Sequence, residues 1–337
     1  SGELARWVES GVRGLTSNPS IFQKAIQGSA EYDDEFTSSI ESGMDVEASY
    51  WQLVTSDIRA ALSILRPIYD ESQGLDGYVS VEVDPGLARN TDGTTTAARQ
   101  LDERLSEPNL YVKIPATAEG LLPIQTMISE KRSINVTLIF SLERYAEVME
   151  AYIAGLEAAD GNLQDISSVA SFFISRLDVE VDRRLNALGS PEALALRGKA
   201  AVANGKLAYA LFSRTFSGPR WETLAARGAR VQRPLWASTS TKNPDYPDTL
   251  YVDELIGPHT VNTLPDNTLE AFKDHGTVAR TIDFDVKAAR AVIDELATLG
   301  VDMVEVTQQL EDEGVAAFEK SFDELLGALS EKAATLA

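Results

Sequence analysis

The sequence predicts an α/β fold in which parallel strands alternate with helices. Seven short β-favouring runs, each bounded by turn residues, alternate with segments of helical periodicity. Strands separated in this way form parallel βαβ units, which either close into a (β/α)8 barrel or spread into a doubly wound sheet. No G-x-G-x-x-G or G-x-x-x-x-G-K-[ST] run follows any strand, so a nucleotide-binding sheet is disfavoured.

The elements follow one another along the chain without an obvious domain boundary. The predicted strands cover residues 12–20, 78–84, 109–117, 134–140, 167–174, 230–239 and 259–265. The predicted helices cover residues 1–10, 44–69, 93–105, 119–130, a segment capped by Ser141, 177–215, and most of 266–330 with a break around 276–284. Pro19 is expected to close the first strand, and Pro67 to end or bend the second helix. Because no low-complexity linker interrupts this order, we expect a single domain over residues 1–337.

The composition excludes several classes of function. The chain has no cysteine, which removes disulfides, thiolate metal sites and cysteine nucleophiles. With only His259 and His275, a histidine-built metal site or a Ser-His-Asp system is poorly supported. The net charge of -22 disfavours binding to nucleic acid. We see no secretory leader and no apolar run that would span a membrane, and therefore expect a cytoplasmic protein.

A lysine lies inside one of the predicted buried strands. Lys113 is flanked by β-favouring apolar residues in NLYVKIPAT, residues 109–117, and Pro115 ends the pairing. Burial of an ammonium favours the free amine, which attacks carbonyl carbons. Lys113 is thus a candidate Schiff-base nucleophile. The alternative is a lysine at a strand edge that extends to water.

Polar residues of one parity gather near the ends of four predicted strands. Since side chains alternate across a strand, each of the following sets shares a face: Thr16 and Asn18; Ser80, Glu82 and Asp84; Asn135 and Thr137; Ser171 and Phe173. In a barrel, the carboxyl ends of the strands form the active site. For Glu82 the alternatives are a surface carboxylate, an ion pair with Lys113, or general acid/base work. Asp84, before Pro85, is expected to form a turn.

Basic residues follow two later strands, where barrels often bind phosphate. Arg176 follows the strand at 167–174, and Lys242 follows the strand at 230–239. Ser238 and Ser240 lie beside Lys242. We interpret these residues as a phosphate clamp, with ordinary surface charge as the alternative.

Five motifs together resemble the transaldolase family, and one more resembles its longer bacterial form. The five are GLTSNPSIF, VSVEVDP, LYVKIPAT, INVTLIFS and VASFFISR, and the sixth is PLWASTSTKNPDY. The resemblance covers nearly the whole chain. It implies a (β/α)8 barrel, a class I aldolase-like mechanism with no metal and no cofactor, and a place in the non-oxidative pentose phosphate pathway.

The resemblance also implies a role for each matching residue. Lys113 matches the Schiff-base lysine, Glu82 the acid/base group, and Thr137 a residue that holds the catalytic water. The remaining matches concern the substrate: Asn18 and Asn135 for the dihydroxyacetone hydroxyls, Thr16 and Ser171 for the pocket, Phe173 for an aromatic near the water, Arg176 and Ser238 for the phosphate. Where some relatives have an arginine two places after Ser238, this chain has Ser240, and we assign that role to Lys242.

The beginning of the chain departs from the family pattern. The family's first strand carries an aspartate that moves the proton during carbon–carbon cleavage, whereas this sequence begins at the helix that follows. Because a barrel without one strand has two open edges, we expect that strand upstream of Ser1, so that residues 1–337 are an N-terminally incomplete barrel domain.

The resemblance implies transfer of a three-carbon dihydroxyacetone unit from a ketose phosphate to an aldose phosphate. One alternative is a class I aldolase that releases this unit. Another is a sugar-phosphate-binding barrel with impaired catalysis. The sequence leaves the oligomeric state open.

Overall fold

The computed structural model describes residues 2–336 and divides them into two compact units. The first unit comprises the residues up to Ile114 together with those from Val315 onward, and the second comprises Pro115–Gly314. Ser1 and Ala337 lie outside the described residues, and with them the first residue of the predicted helix 1–10 and both ends of the predicted domain. The prediction of a single domain stays a prediction.

The first unit is built on three parallel strands. These are β1 (Leu15–Thr16), β2 (Val79–Glu82) and β3 (Leu110–Pro115), paired in that order. Its helices are α1 (Glu3–Glu9), α2 (Pro19–Gly28), α3 (Asp33–Glu41), α4 (Val46–Glu71) and α5 (Thr91–Leu105). Every residue of β2 and β3 is buried, as expected for parallel strands that are covered on both faces.

One proline in this unit differs from its prediction, and a second proline has one of its two predicted effects excluded. Pro19 does not close a long strand but opens α2, where a proline costs no helical hydrogen bond. Asn18 caps this helix, since its Oδ1 accepts a hydrogen bond from the Ile21 amide. Pro67 does not end α4, which continues to Glu71, and a bend of the helix at Pro67 stays a prediction. The sequence prediction also missed α2 and α3.

The second unit contains four parallel strands in sequence order. These are β4 (Ile134–Ile139), β5 (Ser168–Phe173), β6 (Arg233–Ala237) and β7 (Val261–Asn262). Its helices are α6 (Leu121–Ser129), α7 (Leu142–Ala158), α8 (Ser175–Leu188), α9 (Pro191–Leu194), α10 (Ala200–Thr215), α11 (Gly218–Ala225), α12 (Leu250–Asp253), α13 (Asp266–His275) and α14 (Val286–Thr298). A last helix, α15 (Met303–Leu336), begins in this unit and ends in the first.

The predicted strands all appear at their places, although several are shorter than predicted. The predicted cap of α7 is also present, since the Ser141 hydroxyl accepts a hydrogen bond from the Arg144 amide. The predicted helix over 177–215 is instead three helices, α8, α9 and α10. Gly189 and Gly198 adopt positive φ at the two breaks, a conformation that glycine adopts without strain.

Large aromatic residues form much of the core of the second unit. Phe172 of β5 makes edge-to-face contacts with Tyr145 of α7 and with Trp236 of β6. The Trp236 indole nitrogen donates a hydrogen bond to the Leu255 carbonyl, which satisfies its only polar group. These contacts fix β5 and β6 side by side, and both strands carry predicted site residues at their carboxyl ends.

Within residues 2–336, no helix is long and apolar enough to cross a membrane. No group of histidine, aspartate and glutamate side chains in the same part of the chain is arranged to hold a metal ion.

Candidate active site

The centre of the first unit is a buried ion pair between Lys113 and Glu82. The two residues are direct partners in the register of β2 and β3, so both side chains leave the same face of the sheet. Lys113 Nζ lies 2.9 Å from Glu82 Oε2, and the side chains are only 6% and 4% exposed. The predicted ion pair is therefore present, and the predicted edge lysine is not.

Two further groups surround the ammonium of Lys113. Its Nζ donates a hydrogen bond of 2.9 Å to the Ser17 carbonyl, directly after β1. It also lies 6.0 Å from the centroid of the Phe318 ring on α15, within the range of a cation–π interaction. One carboxylate, one carbonyl and one aromatic face thus hold this cation in place.

Burial changes the acid strength of the carboxyl group in this pair. Desolvation raises the pKa of Glu82 and outweighs the opposing effect of the Lys113 charge and hydrogen bond. A carboxylate with a raised pKa accepts a proton more readily. Transfer of one proton from Lys113 to Glu82, across 2.9 Å, turns the ion pair into a free amine and a neutral carboxylic acid. Burying these two neutral groups costs less desolvation energy than burying two charged groups.

A small cavity lies against Glu82 in the same unit. Ser17 and Asn18 line one part of it, while Tyr50 and Trp51 of α4 line another. Burial raises the pKa of the Tyr50 hydroxyl, and the nearby Glu82 carboxylate raises it further, so this phenol stays protonated. The cavity is therefore lined by a protonated phenol, which the sequence analysis did not assign to the site.

The predicted residues around β1 have mixed outcomes. Asn18 lines the cavity, as a site residue would, but its Oδ1 is engaged as the cap of α2. The cap uses only the acceptor of the amide and none of its donors. Thr16, at the end of β1, is half-buried. Asp84 accepts a hydrogen bond of 2.8 Å from the Gly86 amide and so forms the predicted turn.

In the second unit, β4 and β5 bring two predicted binding residues into contact. Ser171 Oγ donates a hydrogen bond of 2.7 Å to Asn135 Oδ1, and both residues are buried. This bond fixes the orientation of the Asn135 amide, with its NH₂ group opposite the acceptor. Thr137 and Phe173 are also buried, at 1% and 7% exposure.

Arg176 is the first of the residues that were predicted to bind phosphate in this unit. Arg176, in the first turn of α8, is half-buried and stacks on Phe173 with 5.3 Å from its Cζ to the ring centroid. Burial lowers the pKa of this guanidinium, and the charge of the nearby Glu313 carboxylate opposes that shift. A partly desolvated arginine of this kind is a ready anion ligand.

Ser238 is held next to Arg176 along the same edge. Its hydroxyl is hydrogen-bonded to the Ser175 hydroxyl at 2.9 Å, and its carbonyl accepts from the Ser175 amide. Ser238 has a positive φ of 57°, which turns the chain sharply after β6. Ser240 is half-buried and Lys242 is exposed, and no hydrogen bond between Ser240 and Arg176 occurs in the described chain.

Sequence reasoning missed several groups at these sites. Ser17 contributes a backbone carbonyl, which no residue pattern reveals. Phe318 lies on a helix far along the chain from Lys113. Tyr50 lies inside a long amphipathic helix, where an aromatic residue is normally interpreted as part of the hydrophobic core. Ser175 lies in the motif VASFFISR, but the hydrogen bond of its hydroxyl depends on the turn at Ser238.

Comparison with known proteins decides the family of the chain. The family model described as Transaldolase/Fructose-6-phosphate aldolase matches residues 2–329. The chain belongs to this family. Membership confirms the predicted fold class, a (β/α)8 barrel.

Similar relatives within the transaldolase/fructose-6-phosphate aldolase family carry one name. A protein named Transaldolase from Parafrankia sp. (strain EAN1pec) is 54% identical over 98% of this chain and 90% of its own length. Another Transaldolase, from Thermobifida fusca (strain YX), is 50% identical over 99% of this chain and 92% of its own. A third, from Mycobacterium tuberculosis (strain ATCC 25618 / H37Rv), is 48% identical over 97% and 89%. The predicted resemblance is therefore confirmed.

Proposed function

We propose that this protein is a transaldolase of the non-oxidative pentose phosphate pathway. It transfers a dihydroxyacetone unit from sedoheptulose 7-phosphate or fructose 6-phosphate to glyceraldehyde 3-phosphate or erythrose 4-phosphate. The observation that carries this proposal is the buried pair of Lys113 and Glu82, because it supplies an amine nucleophile and a proton acceptor at hydrogen-bond distance. A cytoplasmic location belongs to the same proposal and follows from the pathway.

The reaction begins with proton transfer within this pair. Lys113 passes one proton to Glu82, and its free amine attacks C2 of the ketose to form a carbinolamine. Glu82 then returns a proton to the leaving hydroxyl, water departs, and an iminium forms. Each transfer uses the raised pKa of Glu82, since a weaker acid is the better base in the first step.

The iminium then acts as an electron sink for carbon–carbon cleavage. The bond between C3 and C4 breaks, its electron pair moves into the iminium to form an enamine, and the C4 hydroxyl proton passes to a base as the aldose phosphate leaves. The family resemblance implies an aspartate for this base. The enamine attacks the acceptor aldehyde, and hydrolysis of the new iminium releases the product and regenerates Lys113.

The substrate-binding roles are proposed from the family motifs. Asn18, Asn135, Thr16 and Ser171 are assigned to the hydroxyls of the dihydroxyacetone unit, and Thr137 with Phe173 to the catalytic water. The hydrogen bond from Ser171 to Asn135 supports this assignment, because it brings two of the assigned residues into contact and fixes the orientation of the Asn135 amide.

The phosphate group is assigned to the residues that follow β5 and β6. They are Arg176, Ser238, Ser240 and Lys242. The guanidinium of Arg176 supports the assignment, since it is stacked on Phe173 and partly desolvated, as an anion ligand would be. We propose sugar phosphates as the partners of this site, and the net charge of -22 supports the expectation that nucleic acid is not one.

The alternative that remains within the family is an aldolase that releases the three-carbon unit. The family description includes fructose-6-phosphate aldolase, whereas the relatives compared above are named Transaldolase. Product analysis with fructose 6-phosphate separates the two reactions. A transaldolase needs an acceptor aldehyde for turnover, and an aldolase forms free dihydroxyacetone without one.

The central test is trapping of the Schiff base. Borohydride reduction with fructose 6-phosphate is expected to leave a three-carbon adduct on the peptide that contains Lys113. The matched control is Lys206→Met, because Lys206 is also buried and paired with a glutamate, Glu254, at 3.1 Å. This variant should trap normally, whereas Lys113→Met should not. An adduct on another lysine, or none, contradicts the mechanism.

A further inference from the structure

Helix α8 carries three polar side chains along one face that all contact the chain after β6. Ser175, Asp178 and Asp182 occupy positions i, i+3 and i+7, which lie on one side of a helix. Ser175 contacts Ser238, Asp178 accepts a hydrogen bond of 2.8 Å from the Tyr251 hydroxyl, and Asp182 accepts one from the Tyr246 hydroxyl. Residues 238–251, here called the β6–α12 segment, are therefore tied to α8 at three successive levels.

Both carboxylates are themselves held in place on their other oxygen. Asp178 Oδ1 accepts a hydrogen bond of 2.8 Å from the Ala201 amide, at the start of α10. Asp182 Oδ1 accepts one of 2.9 Å from the Gly198 amide, just before that helix. Each tyrosine hydroxyl therefore donates to an aspartate carboxylate whose orientation is fixed by a second hydrogen bond.

The ring of Tyr246 is positioned as tightly as its hydroxyl. It lies against Gly198, where a Cβ would come within 2.8 Å of the ring carbon Cζ. Gly198 also has a φ of +69°, which a residue with a side chain rarely adopts. Tyr251 is 2% exposed, so its ring is fixed by packing as well.

These bonds are costly for a purely structural connection. Asp178 is 1% exposed, and its burial raises its pKa to about 6, so holding it ionised at neutral pH opposes folding. An apolar contact would join the same elements without this cost. Two directional bonds to charged acceptors instead specify one arrangement of the β6–α12 segment on α8. The segment carries Ser238, Ser240 and Lys242, and α8 carries Arg176.

We propose that the Asp178–Tyr251 and Asp182–Tyr246 pairs are positioning residues that hold the phosphate ligands of the β6–α12 segment in register with Arg176. The inference rests on the proposed function for the identity of these ligands. It adds four residues that touch no substrate but set the affinity of the site for a phosphorylated sugar. Loss of one hydroxyl lets the segment move and separates the serine hydroxyls from the guanidinium.

The test compares phosphorylated and unphosphorylated donors in Tyr246→Phe. We expect KM for fructose 6-phosphate to rise about tenfold, the effect of losing one hydrogen bond to a charged group. We expect kcat to change less than twofold, and kcat/KM for unphosphorylated fructose to match that of the unchanged protein. Tyr251→Phe is a second, independent variant with the same expected pattern.

The matched control is Tyr152→Phe. Tyr152 is also buried in the second unit, and its hydroxyl donates to the Arg230 carbonyl at 2.8 Å, outside the β6–α12 segment. This variant should leave KM unchanged. If both tyrosine variants lower kcat/KM equally for the two donors, or leave KM for fructose 6-phosphate unchanged, the positioning role is wrong.

A second readout separates this inference from the proposed function. Isothermal titration calorimetry with inorganic phosphate should show weaker binding to Tyr246→Phe than to Tyr152→Phe. Absence of turnover and of a Lys113 adduct in the unchanged protein would overturn the proposed function, while the difference in phosphate binding still decides the positioning role. Equal phosphate binding in the two variants overturns it.

Discussion

Replacement of Lys113 by methionine tests the energetics of the buried pair. Methionine has a similar length and no charge, so Lys113→Met leaves the Glu82 carboxylate in a site where both side chains are at most 6% exposed. Because its partner is gone, the pKa of Glu82 rises further above its usual value. The variant loses the Schiff base, but the more informative result is the pH dependence of its stability.

The expected magnitude follows from the cost of an unpaired buried charge. Breaking such a pair costs about 3–5 kcal/mol when the remaining group stays ionised. A carboxyl whose pKa in the folded state exceeds that in the unfolded state favours folding only at low pH, and this contribution is lost as the pH rises through the folded value. We therefore expect a loss of about 3 kcal/mol at pH 8 and about 1 kcal/mol or less at pH 5.

The assay is urea denaturation at both pH values, with unfolding monitored by tryptophan fluorescence. The control is the double variant Lys113→Met/Glu82→Gln, which lacks both charges. It should be nearly as stable as the unchanged protein at pH 8, and its stability should fall less between pH 5 and pH 8 than that of the single variant. If the single variant loses the same stability at pH 5 and pH 8, Glu82 is not a desolvated carboxylate and the proton-transfer step has no basis.

Three other predictions follow from individual groups. Glu82→Gln should slow borohydride trapping on Lys113 by about 10²–10⁴-fold, the usual effect of losing a general acid/base group, whereas an unchanged trapping rate would remove Glu82 from the mechanism. For Asp178, whose pKa is raised to about 6 by burial, stability falls as pH rises, so relative to Asp178→Asn the unchanged protein should lose about 1 kcal/mol between pH 5 and pH 7 in urea titrations. Tyr145→Phe should keep or raise the melting temperature, because the buried Tyr145 hydroxyl has no hydrogen-bond partner in the described chain; a fall of several degrees would reveal an unseen partner.

The sequence by itself determined where the strands lie along the chain. Alternation and β-branched composition are local properties, so each predicted strand appears in the structure. The Ser141 cap and the Asp84 turn are local in the same sense, because donor and acceptor lie within three residues. Parity alone predicted that Ser80 shares a face of its strand with Glu82, and that Asn135 shares a face of its strand with Thr137.

The family motifs reached further than these local patterns. They identified the family, which comparison with known proteins confirms. The roles of individual residues stay predictions.

Only the tertiary structure decided how the chemical groups pair. The register of β2 and β3 sets Lys113 opposite Glu82, and a shift of one residue would place them on opposite faces. Phe318 and the Ser17 carbonyl reach the same ammonium from distant parts of the chain. The bonds from Tyr246 and Tyr251 to α8 likewise join residues more than 60 positions apart. Such contacts depend on how packed elements meet in space, and neither periodicity nor composition records that.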